Sequence, residues 1–277
     1  MSPPTSQRLS GGLRALLIDL SGTLHIDNQV TPRAPAAVAK LRERGVKILF
    51  CTNTTKEGSS ELHQRLTRLG FTVHPDELFT SLDAARQLVE RSGWNPLLFL
   101  AESARRGFPG VGESQTADGT AIPKDAVVIG LSPADFHYDK LNEAFRLLNQ
   151  GAPLVAIHKA RYFARPDGLA LGPGGFVEAL EYAAGVKATV VGKPERPFFQ
   201  QALDRLEMQD CPCQVAMIGD DVEQDLGTGA IELGLQRILV RTGKYRPGDE
   251  DRAAVPLTAV CDNFAQAVDT ILTNGEP

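Results

Sequence analysis

The chain has 277 residues, roughly two domains' worth of polypeptide at about 150 residues each. Hydrophobic residues make up 42% and charged residues 23%, a soluble globular balance that excludes a disordered, fibrous or membrane-embedded chain. A net charge of -5 with no long basic run argues against nucleic acid as a partner.

The opening MSPPTSQRLSGG is polar, which predicts no signal peptide, and no run of about 20 apolar residues predicts a membrane span. Residues 13–20 (LRALLIDL) then read as a buried parallel strand that carries Asp19 to the sheet edge, followed by the turn Ser21-Gly22-Thr23. A helix over 35–45 and a strand over 46–51 complete a crossover unit. Further helices are predicted over 59–69, closed by Gly70, and over 81–91, capped by the Thr80-Ser81 pair and closed by Gly93. Strand-like stretches at 97–100, 126–131 and 154–158 alternate with helices at 140–148 and 176–184. Gly172-Pro173-Gly174-Gly175 has no dinucleotide spacing and reads as a turn before the second of these. Then come a strand-like 188–194, a helix over 198–206, a strand over 215–221, a helix near Ala230, a strand over 237–240 and a helix over 264–272. This alternation predicts an α/β fold with a mostly parallel sheet covered on both faces.

Cys51, Cys211, Cys213 and Cys261 are too sparse for a disulfide framework, so a reducing, cytoplasmic setting is expected. His63, His74 and His137 have no ligand spacing, and zinc is not expected.

In an open α/β sheet, ligands bind beyond the carboxyl ends of the strands. Four such ends carry complementary groups: Asp19 with Ser21, Thr52-Asn53, Lys193, and Asp220-Asp221 with Asp225. Carboxylates gathered beside a phosphate repel one another, so a hard divalent cation with oxygen ligands is required, and Mg²⁺ fits best. Thr52 and the Thr52-Asn53 amides are placed to hold phosphoryl oxygens. Such acids occur near residue 20 and near residue 220 but not between about 82 and 186. That distribution predicts a discontinuous catalytic core, 1–81 and 187–277, interrupted by an inserted domain, 82–186. His25, close after the first turn, and His158 and Lys159 in the insertion are further candidates for substrate contact.

These residues carry a resemblance. DLSGT at 19–23, Thr52, Lys193 in VGKP and GDDVEQD at 219–225 resemble the four motifs of the haloacid dehalogenase-type (HAD-like) phosphohydrolases with a large inserted cap (C2-type), as in the 4-nitrophenylphosphatase and pyridoxal phosphatase group. The resemblance implies a Rossmannoid core and nucleophilic attack by Asp19 through a phospho-aspartyl intermediate. It further implies Mg²⁺ on Asp19, the Ser21 carbonyl and Asp220, with Asp221 and Asp225 outside them and Lys193 neutralising the transferred group. A homodimer through the cap is also expected. A carboxylate nucleophile suits neutral pH, since an ordinary aspartate with a pKa of about 3.9 needs no base to activate it.

Ser21 stands where most phosphatases of the family have a second aspartate serving as general acid. General acid catalysis is worth about 10²- to 10⁴-fold, and its loss falls hardest on poor leaving groups. The sequence therefore predicts a preference for P–N or P–O–P bonds over alkyl phosphomonoesters. DLSGTLHI, CTNTTKE, LVAIHKARYF, DGLALGPGGFVEALEYA and TGKY are similar to a small subgroup with the same serine, which implies action on phosphohistidine, phospholysine, imidodiphosphate and pyrophosphate. The substrate is thus expected to be a small phosphorylated molecule or a phosphorylated side chain. A general phosphomonoesterase, or a catalytically weak phosphate-binding or protein-interaction module, remain the alternatives.

Overall fold

The apolar strands assemble into two parallel sheets in the computed structural model, which describes residues 12–55, 57–108, 111, 122–165 and 167–274. The larger sheet has the order Ala259–Cys261, Gln236–Val240, Val215–Gly219, Ala15–Asp19, Lys47–Thr52, Leu78–Thr80, with every pairing parallel. All five residues of Ala15–Asp19 are buried because this central strand is covered on both faces. Leu16 and Ile18 meet Val38, Leu41, Phe264 and Val268 on one side. Ala15 and Leu17 meet Phe198, Phe199 and Leu203 on the other. The chain leaves this centre toward Leu78–Thr80, then returns on the opposite side at Val215–Gly219. The reversal falls between Ala15–Asp19 and Val215–Gly219, the crevice where such sheets bind ligands.

The smaller sheet runs Pro96–Phe99, Ala126–Ile129, Leu154–Ala156, Thr189–Val190, again all parallel. Helices Tyr138–Asn149 and Gly174–Ala184 cover one face through Ala144, Leu148, Val177 and Leu180. Helix Ser81–Ser92 supplies Leu82, Ala85 and Val89 to the other. The predicted α/β class with a mostly parallel sheet is what the chain adopts. Among the described residues no helix is long and apolar enough to cross a membrane.

Local signals explain several boundaries. The Thr80 hydroxyl accepts from the Asp83 N–H at 3.0 Å, and Gly93 closes the same helix at φ 66°. Gly172 and Gly174 pack so closely on the carbonyls of Ala160 and Lys159 that a Cβ would lie 2.1 and 2.4 Å from them, so this run is a tight turn against the chain before it.

Other elements differ from the sequence reading. The stretch 188–194 is strand only over Thr189–Val190, and 215–221 only over Val215–Gly219, because the chain turns away after each to present Lys193 and Asp220. Two antiparallel hairpins, His25–Ile26 with Gln29–Val30 and Tyr162–Arg165 with Gly168–Leu171, were not foreseen, nor were strands Leu78–Thr80 and Ala259–Cys261. Runs of two to four residues are too short to show a period of two. Thr189–Val190 lies beyond residue 186 yet hydrogen bonds within the smaller sheet. We propose that the inserted unit extends to Val190.

Candidate active site

The register of the central strands builds the site. Asp19 pairs with Cys51 and Ile18 with Ile218, so Asp19, Thr52 and Asp220 emerge side by side from three adjacent strand ends. Lys193 enters on the turn after Thr189–Val190, and its Nζ donates to Asp19 Oδ1 at 2.5 Å, Asp225 Oδ1 at 2.7 Å and the Cys51 carbonyl at 3.0 Å. The other oxygen of Asp225 accepts from the main-chain N–H groups of Asp220 and Asp221, both at 3.2 Å. Ligand oxygens of Asp19, Asp220 and Asp225 all lie within 4.8 Å of one another. Asp19 and Lys193, 174 positions apart in sequence, thus meet in one cluster.

Two glycines make room for Asp220. A Cβ on Gly22, at φ 101°, would sit 2.0 Å from its Oδ2, and one on Gly243 would sit 2.1 Å from the same atom. That close approach lets the Lys244 N–H donate to Asp220 Oδ2 at 2.6 Å, while Lys244 Nζ pairs with Asp221 at 3.1 Å. Sequence reasoning gave Lys244 no role, although TGKY was among the segments carrying the resemblance. Its loop lies more than 20 residues beyond the acids it serves, and only the fold shows the meeting.

Burial dominates the electrostatics. It raises the Asp220 carboxyl well above the ordinary range, with Lys244 opposing and Asp225 and Asp19 reinforcing. Asp225 is pushed up to about 6 by burial and by Asp19, against the pull of Lys193. Burial alone would depress the ammonium groups of Lys193 and Lys244, but the neighbouring carboxylates outweigh it and hold both above the usual lysine range. Four carboxyl groups, Asp19, Asp220, Asp221 and Asp225, thus face two ammonium groups, and with all four ionised the site would carry a negative excess. Asp19 Oδ2 is buried with no hydrogen-bond partner among the described residues. An orphan carboxylate oxygen in a cluster with Asp220 and such an excess of negative charge suit a small divalent cation with oxygen ligands.

A cavity of about 500 Å³ opens above these groups. Asp19, Ser21, Thr52, Asn53, Lys193, Asp220 and Asp225 line it, as do His25 and His158; Ser21 is exposed to it. The Thr52 hydroxyl is buried and accepts from the Thr54 N–H at 3.1 Å. Asn53 differs from expectation in where its polar atoms go. Its Nδ2 donates to the Lys193 carbonyl at 2.9 Å and its Oδ1 accepts the Lys193 N–H at 3.0 Å, so the amide clamps the lysine turn. Lys159 turns away from the cavity to pair with Glu178 at 2.5 Å and Glu181 at 3.0 Å, which removes it from the substrate candidates. Asp221 caps its own loop, accepting from the N–H groups of Glu223 and Gln224 at 3.0 Å. Leu131, Ala160 and Phe163 complete the cavity wall from the smaller sheet's side and carried no polar signal to single them out.

Known proteins resemble this chain in sequence and in fold. The chain matches the family model for haloacid dehalogenase-like hydrolase over residues 16–109 and a HAD-hydrolase-like model over residues 190–267. It is 52% identical over 260 residues to haloacid dehalogenase-like hydrolase domain-containing protein 2 of Homo sapiens, covering 94% of this chain and 96% of that one. It is 36% identical over 279 residues to the Homo sapiens phospholysine phosphohistidine inorganic pyrophosphate phosphatase, covering 99% of each. Among solved structures, the glycerol phosphate phosphatase of Mycobacterium tuberculosis in complex with magnesium is similar at a TM-score of 0.77 and 27% identity, over 96% of this chain and 78% of that one. A likeness of this depth over nearly the whole chain leaves one conclusion: the chain belongs to the haloacid dehalogenase-like hydrolase family.

Proposed function

We propose that this haloacid dehalogenase-like hydrolase is a magnesium-dependent phosphatase with Asp19 as its nucleophile and a preference for P–O–P and P–N bonds over alkyl phosphomonoesters. The observation that carries the reading is the Asp19 carboxylate itself. It sits at the switch point of the sheet in a cluster with Asp220, one oxygen on Lys193 and the other buried with no hydrogen-bond partner among the described residues, on the floor of a cavity large enough for substrate.

Asp19, Asp220 and the main-chain carbonyl of Ser21 would hold Mg²⁺, which when bound supplies neutralisation of the phosphoryl charge. The chain's own residues do the rest. Asp19 attacks phosphorus in line, the leaving group departs with its electron pair, and water then hydrolyses the aspartyl phosphate on Asp19. Lys193 screens the incoming phosphoryl group and aims Asp19, Asn53 fixes the lysine turn, and Thr52 lies beside the phosphoryl oxygens. Asp225 is spent on Lys193 and on two amides, and Asp221 on Lys244, so both support the ligands from outside.

The bond preference rests on Ser21, whose hydroxyl has no proton to give at neutral pH. The relative named for phospholysine, phosphohistidine and inorganic pyrophosphate supports it. The test is a panel of pyrophosphate, imidodiphosphate, phosphohistidine, an aryl phosphate and an alkyl phosphate, assayed with Mg²⁺, Mn²⁺ or chelator and with the Asp19→Asn variant. Turnover should need the metal and the Asp19 charge, and the alkyl ester should be slowest. Ser21→Asp should raise kcat/KM for the alkyl ester more than for the rest; an equal change across the panel overturns the preference. A chain that binds phosphate but never turns over would be a phosphate-binding module instead.

A further inference from the structure

The leaving group is the part of this reaction for which Ser21 offers no acid, and the structure supplies a different group there. The inference rests on Asp19 acting as nucleophile. In-line attack from the floor places the departing atom on the far side of phosphorus, toward the wall built by the inserted unit. Among the described residues, that wall consists of Leu131, His158, Ala160 and Phe163, so His158 is its one ionisable side chain. It follows strand Leu154–Ala156 and is 8% exposed.

The chain fixes the tautomer of His158. Its Nδ1 accepts the main-chain N–H of Ala160 at 3.3 Å, and a ring nitrogen that accepts carries no proton. Burial, then Lys244 and Lys193, holds the ring down to about 3, hence neutral, with its hydrogen on Nε2. No other hydrogen bond to the described residues occupies the ring. The inserted unit's share of the lining therefore offers one neutral N–H donor set among apolar side chains and no acceptor side chain, whereas His25, Asp27, Glu57 and Arg65 line the cavity from the larger sheet's side.

We propose that His158 is a catalytic residue whose Nε2–H donates to the leaving oxygen, and that within the proposed range of substrates the site is built for oxygen leaving groups, pyrophosphate and aryl phosphates, over phosphoramidates. The Asp19 O–P bond forms, the P–O bond breaks, and the electron pair stays on the departing oxygen as an anion hydrogen-bonded to Nε2–H. No proton changes hands, and the released anion takes one from water. A phosphoramidate that leaves as a neutral amine is already protonated on its bridging nitrogen, so it has no lone pair for this donor to meet.

The test compares wild type, His158→Leu and His158→Gln on pyrophosphate, phospholysine and a series of aryl phosphates graded by leaving-group acidity. His158→Leu should lose about 10- to 100-fold in kcat on pyrophosphate and on the least acidic phenol, little on 4-nitrophenyl phosphate and little on phospholysine. The dependence of rate on leaving-group acidity becomes steeper, and His158→Gln, which keeps an N–H, recovers most of the loss. A uniform loss across the panel, as from a packing defect, overturns the assignment, as does an unchanged slope. Ring ¹⁵N shifts give a second readout: Nδ1 should resonate as the unprotonated nitrogen, and a protonated Nδ1 refutes the donor. Asp19→Asn separates the two failures, since turnover that survives it sinks the nucleophile reading, whereas turnover that needs Asp19 with coincident slopes sinks only His158.

Discussion

The floor and the wall of the cavity handle polarity in opposite ways. On the floor, Asp19, Lys193, Asp220 and Asp225 are each at most 5% exposed and stay charged or strongly shifted by leaning on one another. In the wall, His158 is buried too but sheds its charge and stands among Leu131, Ala160 and Phe163. Buried charge is tolerated where a partner lies within hydrogen-bond reach, and discarded where none does. The difference separates the tasks: the charged floor handles the phosphoryl group that every substrate shares, and the neutral wall meets the part that varies.

Breaking the floor should cost most. Asp19→Asn is expected to reduce turnover of every substrate to background, measured as kcat at saturating Mg²⁺, while leaving the fold intact. Lys193→Met leaves Asp19 and Asp225 buried without their common cation. Removing one partner of a buried pair costs about 3–5 kcal/mol, so its unfolding free energy in denaturant should fall by that much in chelator. Added Mg²⁺ should restore part of it, because a cation can replace the lost charge. A Lys193→Met protein as stable as wild type in chelator would mean the floor carries no strain of charge.

Gly22→Ala probes the same floor more gently. The new methyl must displace Asp220 Oδ2, and a non-glycine residue at φ 101° adds a backbone cost of about 1–3 kcal/mol. A weakened apparent affinity for Mg²⁺ in activation curves, at near-native secondary structure by circular dichroism, is the expected outcome.

How much of this contrast could be read from sequence follows from chemistry. The floor was legible because carboxylates and a lysine after apolar strands have few structural uses, so Asp19, Lys193, Asp220 and Asp225 announced themselves. The elements followed wherever a run was long enough to show a period. Lys244 escaped because its contact with Asp220 depends on Gly22 and Gly243 closing around the same carboxylate, a fact of three-dimensional packing. Asn53 and Lys159 carried the right atoms for substrate, yet the fold turned the first onto the Lys193 main chain and the second onto Glu178 and Glu181. Apolar wall residues such as Phe163 look like any core residue until a cavity is seen beside them.

The wall has its own signature in pH. His158 has a folded pKa of about 3 against an ordinary value near 6.5, so between those values the unfolded chain binds a proton that the folded chain refuses. Stability tied to this ring is therefore complete above about 6.5 and lost as pH falls toward 3. In chelator, the stability of wild type relative to His158→Leu should drop by about 2 kcal/mol between pH 7 and pH 5. Asp225, raised to about 6, acts in the opposite direction in both proteins and cancels in the comparison.

The rim, which is neither floor nor wall, should matter least. Arg161 pairs with Glu223 at 3.1 Å and Arg106 with Glu61 at 2.5 Å, each joining the inserted unit to the larger sheet's side, and all four side chains are 39–66% exposed. In water such pairs gain little Coulomb energy and give up side-chain freedom, leaving about 0.2–1 kcal/mol each. Arg161→Ala and Arg106→Ala should thus shift the denaturation midpoint slightly at low ionic strength, and the shift should shrink at 1 M salt, where screening reaches about 3 Å. A loss comparable to that of Lys193→Met would mean that the two units are held together by charge at the rim, and the contrast between floor and wall would then have to be redrawn around the contact between them.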